Sequence, residues 1–296
     1  MIIMKLQGGL GNQMFQYAAG RSFSIKLDVE LKLDISQLGN CSAPREYGLS
    51  VFNTRAIFAT KDEVDSLAKD NENILKKIRR KLLRKPKNKP ASYIKEDSGN
   101  FFNPNTFKPK DSVYLDGYWQ SEKYFKDISI TIANEFTFKN NLDDKNIKLS
   151  HEIASSDSVS IHIRRGDYVS NARFFKKHGL CSLDYYRKSV DHIKRHVKNP
   201  VFYIFSDDPD WTKNNMRMND PCYFVTNNIG RSTYYVDMQL MSLCKHNIIA
   251  NSSFSWWAAW LNKSQNKMII APRQWFSREL SQEEMDSIIP RNWIKI

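Results

Sequence analysis

Short apolar runs separated by longer amphipathic stretches set the rhythm of this chain. In its second half the runs Val159–Ile163, Val201–Phe205, Cys222–Val225, Asn247–Ala250 and Met268–Ala271 are β-branched or aromatic in character. Helix-like stretches lie between them, at Leu183–Val197, from about Pro209, at Tyr234–Cys244 and at Phe254–Leu261. Strands of that length alternating with helices predict a parallel sheet with helices on both faces. The first half is less regular. Strand Ile2–Leu6 leads through Gln7-Gly8-Gly9-Leu10-Gly11 into a helix from about Asn12 to Lys26, and strand Val29–Leu33 follows. Residues 35–110 read as short helices among polar loops, and Val113–Leu115 as a strand running into Gly117-Tyr118-Trp119-Gln120. The polar stretch Asn140–Ser150 predicts a boundary, giving domains 1–145 and 146–296, the last helix packing back on the first domain.

Length and composition narrow the class. With 296 residues, 41% hydrophobic and 26% charged, the chain can bury a real core and is neither a disulfide-stapled miniature nor a disordered polymer. No run approaches the ~20 apolar residues of a membrane helix, and Met1–Leu6 entering a Gly-rich loop does not resemble a signal peptide. A cytoplasmic protein is expected. Cys41, Cys181, Cys222 and Cys244 lie far apart without a C-x-x-C pair and read as reduced, mostly buried thiols. His192 and His196 share a helix face without the surrounding residues of a zinc site and read as a solvated face.

The net charge of +13 first suggests nucleic acid, but its distribution changes the picture. Nine of the fourteen residues from Lys76 to Lys89 are Lys or Arg, leaving +4 for the rest. Ile74, Ile78 and Leu82 share one face, so 74–90 reads as a basic amphipathic helix ended by Pro86. That pattern suits either an ordinary basic surface helix or peripheral contact with an anionic membrane. Aromatics are not interleaved with the charges, so no nucleic-acid partner is expected.

An open α/β sheet binds ligands beyond the carboxyl ends of its strands. His162 and Arg164-Arg165-Gly166-Asp167 stand at the end of one strand, Ser206-Asp207-Asp208 at the next, and Asn251-Ser252-Ser253-Phe254 open a helix after a later one. A helix start offers free N–H donors, an arginine fork grips phosphate oxygens, and a carboxylate suits a ribose hydroxyl or the N–H edge of guanine. Together they read as a nucleoside diphosphate cradle. Singly, Ser252 or Ser253 would serve as a helix cap, and Arg164 or Arg165 as a structural partner of Asp167. Gly9-Leu10-Gly11 departs from the dinucleotide fingerprint, whose third glycine position here holds Met14, and no P-loop lysine follows. Gly9 and Gly11 would still allow a ligand close to the backbone, with Asn12 facing it at the helix start. Asp207-Asp208-Pro209-Asp210 is similar to a D-x-D metal site. The arginine pair already brings the charge such a metal would supply, so neither a metal nor any other cofactor is expected.

These residues carry a resemblance. The stretches GGLGNQMFQYA (8–18), GYWQSEKYF (117–125), HIRRGDY (162–168), FSDD (205–208) and DMQLMSLCKHNIIANSSFSWWAAWLN (237–262) resemble the alpha-1,2-fucosyltransferases of glycosyltransferase family 11. The resemblance implies an α/β, GT-B type fold of two Rossmann-like domains, the C-terminal one doubly wound, with GDP-fucose as donor. It further implies inverting, metal-independent transfer to the 2-hydroxyl of a galactoside. By motif, His162 and Asp207 would hold guanosine, Arg164 the β-phosphate, and Ser252, Ser253 and Phe254 the phosphates. Asn12 would approach the donor, and Arg165 and Asp167 would support the loop. For the general base, Asp116 and Glu122 flank the GYWQ motif. A surface-glycan precursor of O-antigen or capsule type, lipid-linked at the inner membrane face, is the expected acceptor. A different hydroxyl or a protein acceptor, a silent sugar-nucleotide binder and a basic nucleic-acid-binding protein are the alternatives.

Overall fold

The computed structural model describes residues 1–39, 45–69, 90–96, 101–106, 112–228, 230 and 232–296. The chain forms two compact units, Met1–Thr137 and Phe138–Ile296. The basic segment 74–90 and Cys41 lie outside the described residues, apart from Pro90.

The N-terminal unit holds β1 (Ile2–Lys5), β2 (Leu31–Asp34), β3 (Ile57–Phe58), β4 (Tyr93–Lys95) and β5 (Val113–Asp116). They pair in the order β3-β2-β1-β5-β4, all parallel. Ile2, Ile3 and Met4 of the central strand are all buried, the continuous apolar run of a strand covered on both faces. The helix Leu10–Leu27 starts two residues earlier than the sequence suggests, so Asn12 lies inside its first turn. Gly20 lets this helix close on the sheet, since a Cβ there would meet Leu31 at 2.9 Å. β3 and β4 come from the stretch read as irregular; two or three residues are too few to show an alternation.

The C-terminal unit holds β6 (Asp157–Ile163), β7 (Pro200–Ser206), β8 (Cys222–Val225), β9 (His246–Ile248), β10 (Ile269–Ala271) and β11 (Ile294–Lys295). The order is β11-β10-β9-β6-β7-β8, again all parallel. This is the doubly wound arrangement, whose strand order reverses between β6 and β9. Five of the six strands were expected. β11 pairs with β10 through two residues only, Ile294 and Lys295. Part of the polar stretch 140–150 is helical: Asp143 caps a helix at Asp144–Ser155 that buries Leu149 and Ile153. The stretch after β6, expected as a loop, folds into two short helices, Gly166–Ser170 and Ala172–His178.

Alternation along β6 divides the core. Val159, Ile161 and Ile163 pack with Tyr185, Tyr186, Val190 and Ile193 of the helix Leu183–His196. The opposite set, Ser158, Ser160 and His162, is also buried, and its polar atoms need partners. The Asn247 amide donates to the Ser160 hydroxyl at 2.7 Å and to the Met241 carbonyl at 2.8 Å. Asn262 donates to the Asn247 side-chain oxygen at 2.7 Å and to the Cys244 carbonyl at 2.8 Å. This network ties β6, β9 and the end of the helix Ser253–Leu261 together, and so fixes that helix against the sheet. Trp256 adds a hydrogen bond from its indole N–H to the Ile288 carbonyl at 2.8 Å, holding the helix Gln282–Ile288 to the same unit.

Asn262→Ala strands two buried acceptors at once. It is expected to lower stability by about 2–4 kcal/mol, read as a shift of the urea midpoint with an unchanged slope.

Candidate active site

β6 ends at Ile163, and the chain turns with Arg164 and Arg165 before the helix Gly166–Ser170. Arg164 is three-quarters buried. Its Nη1 lies 2.8 Å from Asp207 Oδ2, and its Nη2 donates to Asp167. Burial opposes the guanidinium charge, but Asp207 and Asp167 outweigh it and raise its pKa above the ordinary arginine value. Asp207 also accepts the Arg165 backbone N–H at 2.8 Å, so both its oxygens hold the arginine turn. Gly166 permits this approach, because a Cβ there would stand 2.3 Å from Asp207 Oδ2.

Arg165 serves the frame of the loop. Its guanidinium lies 3.6 Å over the Trp211 ring and pairs with Asp208 at 3.1 Å. Asp208 in turn caps the helix Pro209–Asn215 by accepting the Trp211 N–H at 3.3 Å. Ser206 accepts the Asp208 N–H at 3.0 Å and the Thr212 hydroxyl at 2.9 Å. The D-x-D-like run thus supplies arginine partners and a cap. Two arginines face three aspartates in this cluster. What it can offer an anion is therefore a matter of where the arginine N–H groups point, not of net charge.

Beyond β9 the buried Asn251 turns inward. Its amide donates to the carbonyls of His178 at 2.9 Å and Trp275 at 3.3 Å, and its oxygen accepts from the Cys181 thiol at 3.5 Å. It anchors the loop, whereas the residues after it open outward. Ser252 caps the helix Ser253–Leu261 through the Phe254 N–H at 3.3 Å, with Ser253 and Phe254 half-buried at its start. First-turn N–H groups lack helical acceptors and face the positive end of the helix dipole. Tyr168 ties this turn to the arginine loop, donating to the Asn251 carbonyl at 3.2 Å.

His162 sits between the two strand ends. Burial, and then the Arg164 charge, push its imidazole down to about 3, so the ring is neutral at physiological pH. Its Nδ1 is buried without a protein partner. The Phe254 ring lies 5.7 Å away and Tyr234 6.0 Å beyond that. A neutral ring with an unsatisfied nitrogen, beside two aromatic faces, can take a planar polar ligand.

The N-terminal sheet reverses its strand order between β1 and β5, where Gln7-Gly8-Gly9 and Gly117-Tyr118-Trp119-Gln120 emerge. Asn12 accepts a hydrogen bond from the Gln120 amide at 2.7 Å. The close approach lies at Gly8 and not at Gly9: Gly8 has φ +79°, and a Cβ there would stand 2.3 Å from Asn12 Nδ2, while nothing crowds Gly9. Gly11 is buried within the helix. Of the two base candidates, Asp116 is engaged by Lys5 at 3.1 Å and by the Tyr93 hydroxyl. Glu122 opens a half-buried 3-10 turn, Glu122–Tyr124.

Two groups escaped the sequence reading. Glu96 is a buried carboxylate beneath the Gly117–Gln120 loop, in a stretch without periodicity. Asp237, in the first turn of the helix Tyr234–Leu243, reads as a routine helix-start acid. In the structure it is half-buried and accepts the Asn228 amide at 2.8 Å. Burial pushes its carboxyl up to about 7, against the opposing pull of that hydrogen bond. Among the described thiols, Cys181 is half-buried, Cys244 buried and Cys222 exposed.

Two parallel α/β units, each with polar residues at its strand-order reversal, make up a GT-B type fold. NodZ, an alpha-1,6-fucosyltransferase from Bradyrhizobium crystallised with GDP, aligns with a TM-score of 0.52 at 14% identity over 87% of this chain and 90% of its own. POFUT1 in complex with GDP-fucose aligns equally well, at 10% identity over 91% and 97%. The sequence matches Glycosyl transferase family 11 over residues 1–296, and the chain belongs to that family. An alpha-1,2-colitosyltransferase of Escherichia coli is 38% identical over 100% of this chain and 99% of its own. The O-antigen biosynthesis glycosyltransferase WbnK of the same species is 35% identical over 96% and 98%. The bovine galactoside 2-alpha-L-fucosyltransferase SEC1 is 26% identical over 52% of this chain and 43% of its own length.

The raised carboxyl of Asp237 has a signed consequence. Above about pH 7 the folded protein must hold a half-buried charge that the unfolded chain hydrates, and this destabilisation fades as pH falls toward about 4. Asp237→Asn is therefore expected to raise Tm by several degrees at about pH 8, with the gain shrinking steadily on acidification.

Proposed function

We propose that this chain transfers L-fucose from GDP-fucose to the 2-hydroxyl of a galactoside in an O-antigen-type precursor, with inversion and without a metal. One observation carries the reading: Arg164 and the start of the helix Ser253–Leu261 lie at the carboxyl ends of the two strands that flank the strand-order reversal. As the glycosidic bond to the diphosphate breaks, negative charge grows on the β-phosphate and positive charge on the sugar. An arginine already locked in place, with helix-end N–H groups beside it, stabilises that charge without reorganising. His162 Nδ1 would meet the nucleoside, and Phe254 and Tyr234 its base. Asp207, with both oxygens on the arginine turn, would act by holding Arg164 and not by direct contact with guanosine.

The linkage reading is supported by two relatives, the alpha-1,2-colitosyltransferase and the galactoside 2-alpha-L-fucosyltransferase, whose names both place the new bond at a 2-position. The relative at 38% identity also favours a second donor, GDP-colitose. Colitose is L-fucose without its 3-hydroxyl, and a cradle that grips the nucleotide serves both. The acceptor would be lipid-linked on the cytoplasmic face, where the sequence of 76–89 suits an anionic leaflet.

GDP release with each donor against a panel of galactosides, with and without EDTA, tests the reading. Turnover is expected to survive EDTA, with a methylated 2-hydroxyl abolishing transfer. Arg164→Ala should cost roughly 3 kcal/mol or more of transition-state stabilisation, about a hundredfold or greater loss of kcat. Near-normal turnover of that variant contradicts the assignment.

A further inference from the structure

The N-terminal unit contains a buried carboxylate and a backbone bend that the proposed chemistry leaves unexplained. Glu96 follows β4 and is only 4% exposed. Its Oε2 accepts the Tyr118 N–H at 2.7 Å, and both its oxygens accept the Trp119 N–H at 3.0 Å. Trp119 itself is fully buried with φ +54°, a left-handed conformation that large L-residues avoid. Gly117 makes room for the carboxylate, since a Cβ there would stand 2.4 Å from Glu96 Cβ. The Gly117 carbonyl is held from the other side by the amides of Gln7 at 3.3 Å and Gln16 at 3.0 Å.

So many constraints on three residues need an outcome, and the outcome is the placement of Gln120. Its amide nitrogen donates to Asn12 Oδ1 at 2.7 Å. Asn12 has one acceptor and one donor end, and without a fixed partner it could present either. With Oδ1 turned to Gln120, the donor end of the amide, Nδ2, lies over the hydrogen of Gly8.

We propose that Glu96 and Gln120 are positioning residues for the transfer: Glu96 holds the left-handed bend at Trp119, the bend delivers Gln120, and Gln120 fixes Asn12 as a hydrogen-bond donor. The proposal rests on the sugar transfer proposed above and takes the oxygen that Asn12 meets to belong to a sugar substrate. A donor-only amide suits an oxygen that carries or gains negative charge. It cannot remove the proton of an attacking hydroxyl, so Asn12 orients or stabilises and is not the base.

A double-mutant cycle tests the chain of action. Gln120→Ala is expected to lower kcat about 10- to 100-fold while Kd for GDP and Tm stay near wild type. In an Asn12→Ala background the same change should have little further effect. Gln120→Glu should not rescue, because its carboxylate would accept from Nδ2 and turn the Asn12 amide around. Glu96→Gln, which sets an amide N–H against two backbone donors, should fall in the same direction; if it fails to fold, the Gln120 variants still decide. The Asn12 side-chain proton–nitrogen resonances provide a readout without turnover and should shift in both Gln120 variants. Equal losses in the wild-type and Asn12→Ala backgrounds, or unmoved Asn12 resonances, overturn the proposal. Absence of wild-type turnover on either GDP-sugar counts instead against the functional reading, and the resonances then judge this proposal alone.

Discussion

Arg164 stands at the end of β6, and two carboxylates hold it there. Asp207 reaches it from β7 and Asp167 from the following helix, so neighbouring strand ends and a short helix meet on one guanidinium. A planar fork with five N–H donors can satisfy both aspartates and still direct donors elsewhere. The cost of ordering a long side chain is thus met during folding. Were the guanidinium free, that ordering would fall on the ligand or the transition state. Gly166, Arg165 on Trp211, and Tyr168 bonded to Asn251 all stabilise this one geometry.

The same economy of means recurs in the N-terminal unit, with amides in place of ions. Gln7, Gln16 and Gln120 cross-link the loops after β1 and β5. Neutral amides hold position without the desolvation cost of buried charge, and the buried carboxylate of Glu96 meets the backbone N–H groups of Tyr118 and Trp119. Each unit therefore builds a rigid polar edge at the point where its strand order reverses. The interior network of Ser160, Asn247 and Asn262 has the same logic one layer down, fixing the helix whose first turn completes the C-terminal edge.

Much of this was legible in the sequence, for identifiable reasons. Buried parallel strands are short apolar runs, and five of the six in the second half fall in runs of four or five mostly β-branched or aromatic residues, whereas β11 is two residues long. The helix Asp144–Ser155 was hidden because a mostly exposed helix buries few apolar residues in a polar stretch. His162, Arg164 and Ser252–Phe254 could be placed because strand ends and helix starts are local features. Asn251 could not be read correctly, since its inward turn depends on carbonyls of His178 and Trp275, distant in the chain. Glu96, Asp237 and the role of Gly8 were invisible for the same reason: burial, ionisation and backbone hand are set by tertiary neighbours. The resemblance to the alpha-1,2-fucosyltransferases identified the family, while choice of sugar remained beyond it.

The most direct measurement is a crystal structure of this chain with GDP. The account predicts the β-phosphate against the Arg164 guanidinium and the Ser253 N–H at the helix start, with His162 Nδ1 hydrogen-bonded to the nucleoside. A nucleotide bound away from the β6 and β9 ends, with Arg164 still turned wholly onto Asp207 and Asp167, would contradict it.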